Sequence, residues 1–460
     1  MIRIYEDLEE AQRTLLSRRD DKVDDIPESV RSGIRRVFGR DLTPEEATTE
    51  ILVDVRRRGD AALRAWTSRL DGVALEELEV PAEDWEAAYA GLPPDLAEAL
   101  ELAAGRIEAF HAKQPLPAWE TEDMGGHLGQ RVTPLLRVGA YVPGGTAPLP
   151  SSLLMSVIPA RVAGVSEVLV ATPPGEDGRV PAITLAAAHI AGVDRVFRLG
   201  GAQAIGALAY GTESVPRVDK IVGAGGLFTT LAKRQVYGHV GLDGLYGPTE
   251  TVVVADDSAD PAWVAADLLA QAEHDVLATA ILLTPSRRLA EAVQAAATAQ
   301  AASLGRADVI ETSLRGQGGI VITPDLATAV RLADTFAPEH LCLSVREPEV
   351  WAERVRSAGG LFLGEHSCEV LGDYVAGPSH IMPTGGTARF SSPVNVLDFV
   401  RITNVVALDA STARELSAAA ARVATAESLT AHASAAARRG AAGPGEEQEA
   451  GPSAPVEDAR

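Results

Sequence analysis

From about Thr43 to Glu108 apolar residues recur at helical spacing. In EEATTEILVDVRRRGDAALRAWTSRL the side chains of Ile51, Val55, Ala62 and Trp66 share one stripe, which predicts a mostly helical region. After Val132 the texture changes. Short β-rich runs (RVGAYV, EVLVAT, DRVFRL, DKIVGA) alternate with amphipathic runs (SLLMSVIPARVAG, AITLAAAHIAG, AQAIGALAYG, FTTLAKRQVYG). A second set of strands (ETVVVAD, TAILLT, GGIVIT, HLCLSV, GGLFLG) alternates with helices (PAWVAADLLAQAEH, RRLAEAVQAAATAQ, LATAVRLADTF, EPEVWAERVRS). Such alternation implies right-handed βαβ crossovers, so two α/β sheets of mostly parallel strands are expected. Several strands end in Gly or Pro pairs (Gly144-Gly145, Pro173-Pro174, Gly200-Gly201), and ligands of open α/β sheets usually sit beyond the carboxyl ends of strands. An Ala-rich helical segment from about Ser411 to Arg439 closes the fold. The stretch Gly440 to Arg460, dominated by Gly, Pro, Ala and Glu, reads as a disordered tail.

Composition narrows the function classes. With 460 residues, 46% of them hydrophobic, the chain should form more than one core. Its 64 acidic residues against 41 basic ones give a formal net charge of -23, so nucleic acid is an unsuitable partner. Two cysteines, Cys342 and Cys368, build no disulfide framework, and a reducing cytoplasm fits. The N-terminus MIRIYEDLEEAQRTLLSRRDD lacks the apolar run of a signal peptide. The most apolar stretch, Leu149 to Ala171, is interrupted by Arg161 and Glu167, so no membrane span is expected.

Four segments carry candidate chemistry. In Gln271-Ala-Glu-His274, at the end of the helix beginning near Pro261, helical spacing puts an amide oxygen and an imidazole nitrogen on one face, suited to one metal ion. The plain alternative is a histidine stabilised by the helix dipole. In Ala337-Pro-Glu-His-Leu341, Pro338 ends the preceding helix and leaves Glu339 and His340 on a turn at the sheet edge, two potential proton-transfer groups or merely a surface Glu and a strand-entry His. In Gly372-Asp-Tyr-Val-Ala-Gly-Pro-Ser-His380, Gly377 and Pro378 forbid regular helix, so Asp373 and His380 can converge only through a loop. In Glu427-Ser-Leu-Thr-Ala-His432 the histidine stands among alanines, where it is ordinarily just solvated. Together they offer a mixed N/O donor set that suits Zn(II) or another divalent first-row metal, with room for a substrate. A dinucleotide fingerprint is absent, because Gly223-Ala-Gly225 continues as Gly226-Leu-Phe228. What remains is Leu199-Gly-Gly-Ala-Gln-Ala-Ile-Gly206, a strand passing through two glycines into a helix, able to hold a pyrophosphate but shared by ordinary βα turns.

In order and spacing, GAYVPGGTAPLPSS, GGAQAIGALAYGT, GPTE, QAEH, FAPEHL, GDYVAGPSH, PTGGTARFSSP and TAH resemble the histidinol dehydrogenase family over roughly residues 30 to 437. The resemblance implies oxidation of L-histidinol to L-histidine in two successive NAD-dependent steps, with the aldehyde held on the enzyme. It implies one zinc per subunit bound by Gln271, His274, Asp373 and His432, with His340 as general base and Glu339 activating the hydrating water. Thr249, Gln271, His274, His340, Asp373, His380, Glu427 and His432 would surround the substrate, and Tyr141 and Gln203 the NAD. It also implies a homodimer whose C-terminal segment crosses over, bringing His432 to the partner's site. The expected architecture is two Rossmann-like domains with mostly parallel sheets, an N-terminal helical arm and a small C-terminal helical segment. The expected boundaries are an arm at 1–30, a first α/β domain at 31–139 and 252–393 with the metal and catalytic residues, a second at 140–251 on the NAD side, a dimerisation segment at 394–439 and a tail at 440–460.

Two positions depart from the family pattern. Where it has G-P-G-N, this chain has Gly223-Ala-Gly-Gly226, which removes an Asn side chain expected near NAD. Where it has A-G-P-S-E, this chain has Tyr246-Gly-Pro-Thr-Glu250, keeping the hydroxyl with an extra methyl. A paralogue oxidising a related alcohol is the alternative that follows, since one methyl changes discrimination by about 1–3 kcal/mol. Three other readings compete: a thiohemiacetal route through Cys342, a zinc hydrolase using Glu339 without nicotinamide, and a binding protein that has lost the reaction.

Overall fold

Strands covered on both faces are apolar throughout, and ETVVVA and TAILLT have that character. In the computed structural model, which describes residues 2–18, 27–144 and 148–440, every residue of Glu250–Ala255 is buried. These strands occupy the middle of a six-stranded, wholly parallel first sheet in the order Ile4–Tyr5, Gly319–Ile322, Thr279–Thr284, Glu250–Ala255, His340–Ser344, Gly360–Leu363. A second six-stranded sheet runs Glu79–Val80, Arg195–Arg198, Glu167–Thr172, Arg137–Tyr141, Lys220–Val222, Gly241–Leu242, parallel except for its first pair. The two parallel sheets expected from the alternation are thus both present. Gly145 and, of the tail expected at 440–460, residues 441–460 lie outside the described residues, whereas Gly440 ends a helix.

The partners of these sheets differ from expectation. Ile51, Val55, Leu63 and Trp66 pack with Leu169, Phe197 and Ile221 of the second sheet, and Trp85, Leu100 and Ile107 with Val138, Val168 and Val196 on a second core of that sheet. The helical region expected within the first domain therefore covers the second sheet. An amphipathic stripe fixes that a face is buried and leaves open against what. The expected N-terminal arm begins as sheet: Ile4 and Tyr5 pair with Ile320 and Val321, and Ile2, Tyr5 and Ala11 enter the cores of the first sheet. Asp7 then caps the helix Leu8–Arg13 through the amides of Glu9 and Glu10.

A separate compact unit comprises, among the described residues, Leu116–Thr133 and 401–440. The strands Trp119–Thr121 and His127–Pro134 form a hairpin that joins Val400–Ala407 in a three-stranded sheet, and the helices Ala410–Ala426 and Thr430–Gly440 follow. Residues 116–133 thus leave the domain to which 31–139 assigned them, because their strand partner is 274 residues away, as in Gln130 donating to Asn404. The Ala-rich segment is two helices, broken where Ser428 takes a left-handed φ of 61°. No helix among the described residues is long and apolar enough to cross a membrane.

One buried ion pair organises the carboxyl edge of the second sheet. Lys233 Nζ donates to Asp243 Oδ1 at 2.6 Å and to Gly223 O at 2.8 Å, and Asp243 accepts the amides of Gly223 and Gly244 at 2.7 Å each. Gly223 has φ 106°, and a Cβ there would lie 2.2 Å from Tyr141 O, so no other residue fits the turn. Replacing Lys233 by Met should leave Asp243 buried without its cation and cost about 3–5 kcal/mol. A urea titration against the parent protein measures this, and an unchanged midpoint would refute it.

Candidate active site

Helix ends and strand starts deliver the chemistry. The helix Leu326–Phe336 is capped by Asp325, which accepts from the Thr328 amide at 2.7 Å, and ends at Ala337 in a left-handed turn with φ 51° and ψ 63°. That conformation costs a non-glycine residue about 1–2 kcal/mol, and Pro338 beyond it prevents the helix from continuing. The turn places Glu339 directly before His340, the first residue of its strand. His340 is flanked by Thr251 on one side and Gly360 on the other, so it lies within the sheet and not at the edge expected for it. Both side chains are buried, which rules out the surface Glu of the plain alternative.

Hydrogen bonds link this pair to the other candidates. Glu339 Oε2 accepts from Thr249 Oγ1 at 2.5 Å and from the Glu250 amide at 3.0 Å. The Thr249 hydroxyl in turn accepts from Gln271 Nε2 at 2.8 Å. On the other side, His340 Nε2 lies 3.2 Å from Asp373 Oδ1, and its Nδ1 lies 3.2 Å from Glu250 O. Nδ1 can only donate to that carbonyl, which fixes a proton there. His380 Nδ1 donates to Asp373 O at 2.8 Å, and its Nε2 lies 3.2 Å from Ser152 Oγ. Asp373 and His380 do converge through a loop, although the contact is to the Asp373 backbone.

The Asp373 loop is fixed from the second sheet's side. A single π-helical turn, Gly372–Ala376, offers its Val375 and Ala376 carbonyls to Arg106 at 2.6 and 3.1 Å. Gly377, at φ 121°, passes so close to the helix Pro94–His111 that a Cβ would sit 2.8 Å from Arg106 O. The helix Pro261–Ala272, capped by Asp260, buries Gln271 and stops before His274, which occupies the following turn and is exposed on one side. Its carboxyl-terminal dipole favours a cation at that end.

Electrostatics sort the protonation states. Burial raises Glu339 to about 7, against the opposing pull of His340. Burial works against charge on His340, yet Glu339, Asp373 and Glu369 lift it to about 10. Burial also opposes ionisation of Asp373, but His340, His380 and His274 hold it below the usual carboxylate range. Burial holds His274 and His380 below the usual histidine value, with Asp373 opposing. A neutral imidazole and an ionised carboxylate are the forms in which these groups bind metals. Among the described residues no three His, Cys, Asp or Glu side chains form a metal-holding group, so a site here draws on Gln271 as well and needs a further donor. Glu427 and His432 belong to the other compact unit and are exposed there.

At the carboxyl end of the second sheet, the buried Tyr141 hydroxyl accepts the Gly201 amide at 3.0 Å and so already occupies part of the helix N-terminus proposed for pyrophosphate. Gln203 Nε2 lies 3.4 Å from Asp71 Oδ2, and its Oε1 is buried without a partner. Burial raises Asp71 to about 6. An orphaned acceptor beside a carboxylate fits a ligand bearing hydroxyl or amide donors, as a dinucleotide does. Gly226 opens the helix Leu227–Val236, and a Cβ there meets nothing within 4 Å, so packing does not dictate the missing side chain. Tyr246 is buried with its ring over Lys233 Nζ at 4.8 Å.

Sequence reasoning missed Glu369 and Asp71. Glu369 is buried behind His340, accepts from Thr251 Oγ1 and is raised by burial to about 8. Nothing in CEVLGD distinguishes it from a solvated glutamate, since its partner lies 118 residues away. Asp71 follows the helix Asp60–Leu70 and reads as an ordinary helix end. Tyr141 and Gly200-Gly201 lie at the carboxyl ends of strands of the second sheet, the place where ligands of open α/β sheets are expected. In the first sheet the cluster is at the amino ends, at Thr249-Glu250 and Glu339-His340, where the two halves meet.

Cys342 is buried in the core between Val253 and Phe362, and burial pushes its thiol well above the usual value, which disfavours the thiolate that the thiohemiacetal route needs. A Cys342→Ala variant should keep at least about half the parental kcat, and a loss beyond about tenfold in a folded variant would restore the thiol to the mechanism.

Comparison with known proteins gives a consistent pattern. A family model described as histidinol dehydrogenase matches residues 39–440. The chain is 54% identical over 410 residues to histidinol dehydrogenase of Deinococcus radiodurans, spanning 89% of this chain and 93% of that protein. It is 53% identical over 399 residues to that of Thermus thermophilus, spanning 87% and 95%. A crystal structure of histidinol dehydrogenase from Elizabethkingia anophelis matches with a TM-score of 0.87 at 31% identity, covering 95% of this chain and 98% of that one.

Proposed function

The chain belongs to the histidinol dehydrogenase family, and from that premise we propose that it oxidises L-histidinol to L-histidine in two NAD-dependent steps, with one zinc ion per subunit. The observation that carries the reading is the hydrogen-bonded run Gln271, Thr249, Glu339, with His340 on Asp373 beside it. Two buried proton-transfer groups are thereby joined to two proposed metal ligands.

Gln271, His274 and Asp373 would hold the zinc, with His432 of the partner subunit as the fourth ligand. Bound zinc would anchor substrate nitrogens, and NAD would accept the hydrides. His340 takes the alcohol proton at Nε2, because Nδ1 is committed to Glu250 O. It acts as a base once a cation shares the Asp373 charge that helps keep it protonated. Glu339, titrating near 7, takes a proton from the water that adds to the aldehyde, and Thr249 and the Glu250 amide aim its carboxylate. His380, Glu427 and Thr249 would contact the substrate, and Tyr141 and Gln203 the NAD. The reaction consumes one water and delivers two hydrides across the interval between the two sheets.

A homodimer is part of the proposal. In the second compact unit Ile402, Val406, Leu416, Val423 and Leu429 are exposed, more apolar surface than an isolated helical segment ordinarily leaves in water. A reducing cytoplasm remains the proposed location. No observation favours another alcohol as substrate, because Tyr246 is packed on Lys233 and the Thr249 hydroxyl is engaged with Glu339.

Glu339→Gln should lower histidinal oxidation by about 10²–10⁴-fold while zinc content is kept, and His340→Ala should lower both steps. Stopped-flow measurement of NADH formation from histidinol and from histidinal checks this. Parental histidinal oxidation by Glu339→Gln would end the water-activation role, and absence of NADH formation in the parent would favour the hydrolase. Asp373→Asn and His432→Asn should each be inactive, yet their co-expressed mixture should regain about a quarter of parental turnover if each site uses both chains. No recovery would place His432 outside the partner's site.

A further inference from the structure

We propose that Arg18, in the N-terminal arm, is a positioning residue for Glu339 and His340, an inference that rests on reading those two as the proton-transfer pair. Its guanidinium binds three acceptor groups on two different backbone segments. Nε donates to Phe336 O at 3.1 Å, and Nη2 donates to Ala337 O at 3.2 Å and to Glu250 Oε2 at 3.0 Å. Nη1 completes a two-pronged ion pair with Glu250, and the Arg18 Cζ stands 3.7 Å above the Phe336 ring.

The placement of these acceptors gives the contact its consequence. Phe336 and Ala337 are the exit of the helix that delivers Glu339, and Ala337 holds the left-handed turn. Glu250 begins the neighbouring strand, and its own backbone presents both partners of the catalytic pair: the amide bonded to Glu339 Oε2 and the carbonyl bonded to His340 Nδ1. One guanidinium therefore ties the segment bearing the pair to the segment that aims it. A planar fork suits this task, whereas the single ammonium of a lysine reaches fewer of the acceptors at once. Without Arg18, burial opposes the Glu250 charge with no cation against it, and two carbonyls lose their donor. Relaxation of either segment turns Glu339 or His340 away from its partner, while the proposed zinc ligands Gln271, His274 and Asp373, with His380 and Glu427, would still hold the substrate, so turnover suffers more than binding.

The test uses the full-length, zinc-loaded dimer with histidinol and NAD. Arg18→Ala should lower kcat by about 10- to 100-fold while the KM for histidinol changes less than about threefold and zinc content stays parental. Guanidinium added at non-denaturing concentration should restore part of the lost kcat and leave the parent unaffected. A kcat within about twofold of the parent, or a loss that tracks only the folded fraction, would overturn the proposal. Should Arg18→Ala fail to fold, Arg18→Lys serves instead: lowered kcat at parental KM supports the role, and parental kcat overturns it. His340→Ala and Glu339→Gln are assayed alongside. If those variants keep turnover, the catalytic reading is at fault; if they lose it and the Arg18 variants do not, the positioning role alone falls.

Discussion

A buried imidazole between a buried glutamate and a half-buried aspartate sets the terms for the rest of the molecule. His340 has Glu339 and Asp373 as neighbours, with Glu369 behind them, in an interior where an isolated charge would simply be neutralised. The arrangement persists because each group is held by something rigid: a strand carbonyl for His340, a threonine and a strand amide for Glu339, another threonine for Glu369. A partly satisfied network of this kind would be worse than an apolar core, so the packing around it has little freedom. The left-handed Ala337 and the close pass of Gly377 against helix Pro94–His111 are the backbone concessions that the network demands.

The two sheets contribute opposite ends. The first presents the amino ends of its strands, where helix carboxyl termini arrive and favour a cation. The second presents its carboxyl ends, where Tyr141, Gly201 and Gln203 line a turn into a helix. Ser152 on His380 and Arg106 on the Asp373 loop bind one half to the other. On the proposed reading, the metal ligands of this chain would come from segments of the first sheet and the NAD contacts from the second, with no residue shared.

Periodicity made the strands and helices legible, because apolar runs buried on both faces and stripes at helical spacing are local properties. It could not reveal which sheet a helix covers, so the region around Ile51 to Ile107 was expected on the first sheet and lies on the second. Nor could it reveal that Ile4 and Tyr5, only two residues long, complete a sheet. Glu339 and His340 stood out as neighbours after a proline, yet their burial depends on strands distant in sequence. Gln271, His274 and Asp373 became a set through the family resemblance, since their spacing alone equally suits caps and turns. Glu369, Asp71 and Arg18 carried no local mark, for each acquires its meaning from a partner more than a hundred residues away.

The proposed chemistry requires a single cation pocket beside Glu339 and His340. Anomalous diffraction measured on both sides of the zinc absorption edge, from crystals of zinc-loaded dimer, tests it most directly. One strong peak per subunit is expected, bonded at about 2.0–2.2 Å by Gln271, His274 and Asp373 with an imidazole from His432 of the partner subunit. A peak held by other side chains, or no peak at this pocket in stoichiometrically loaded protein, would contradict it.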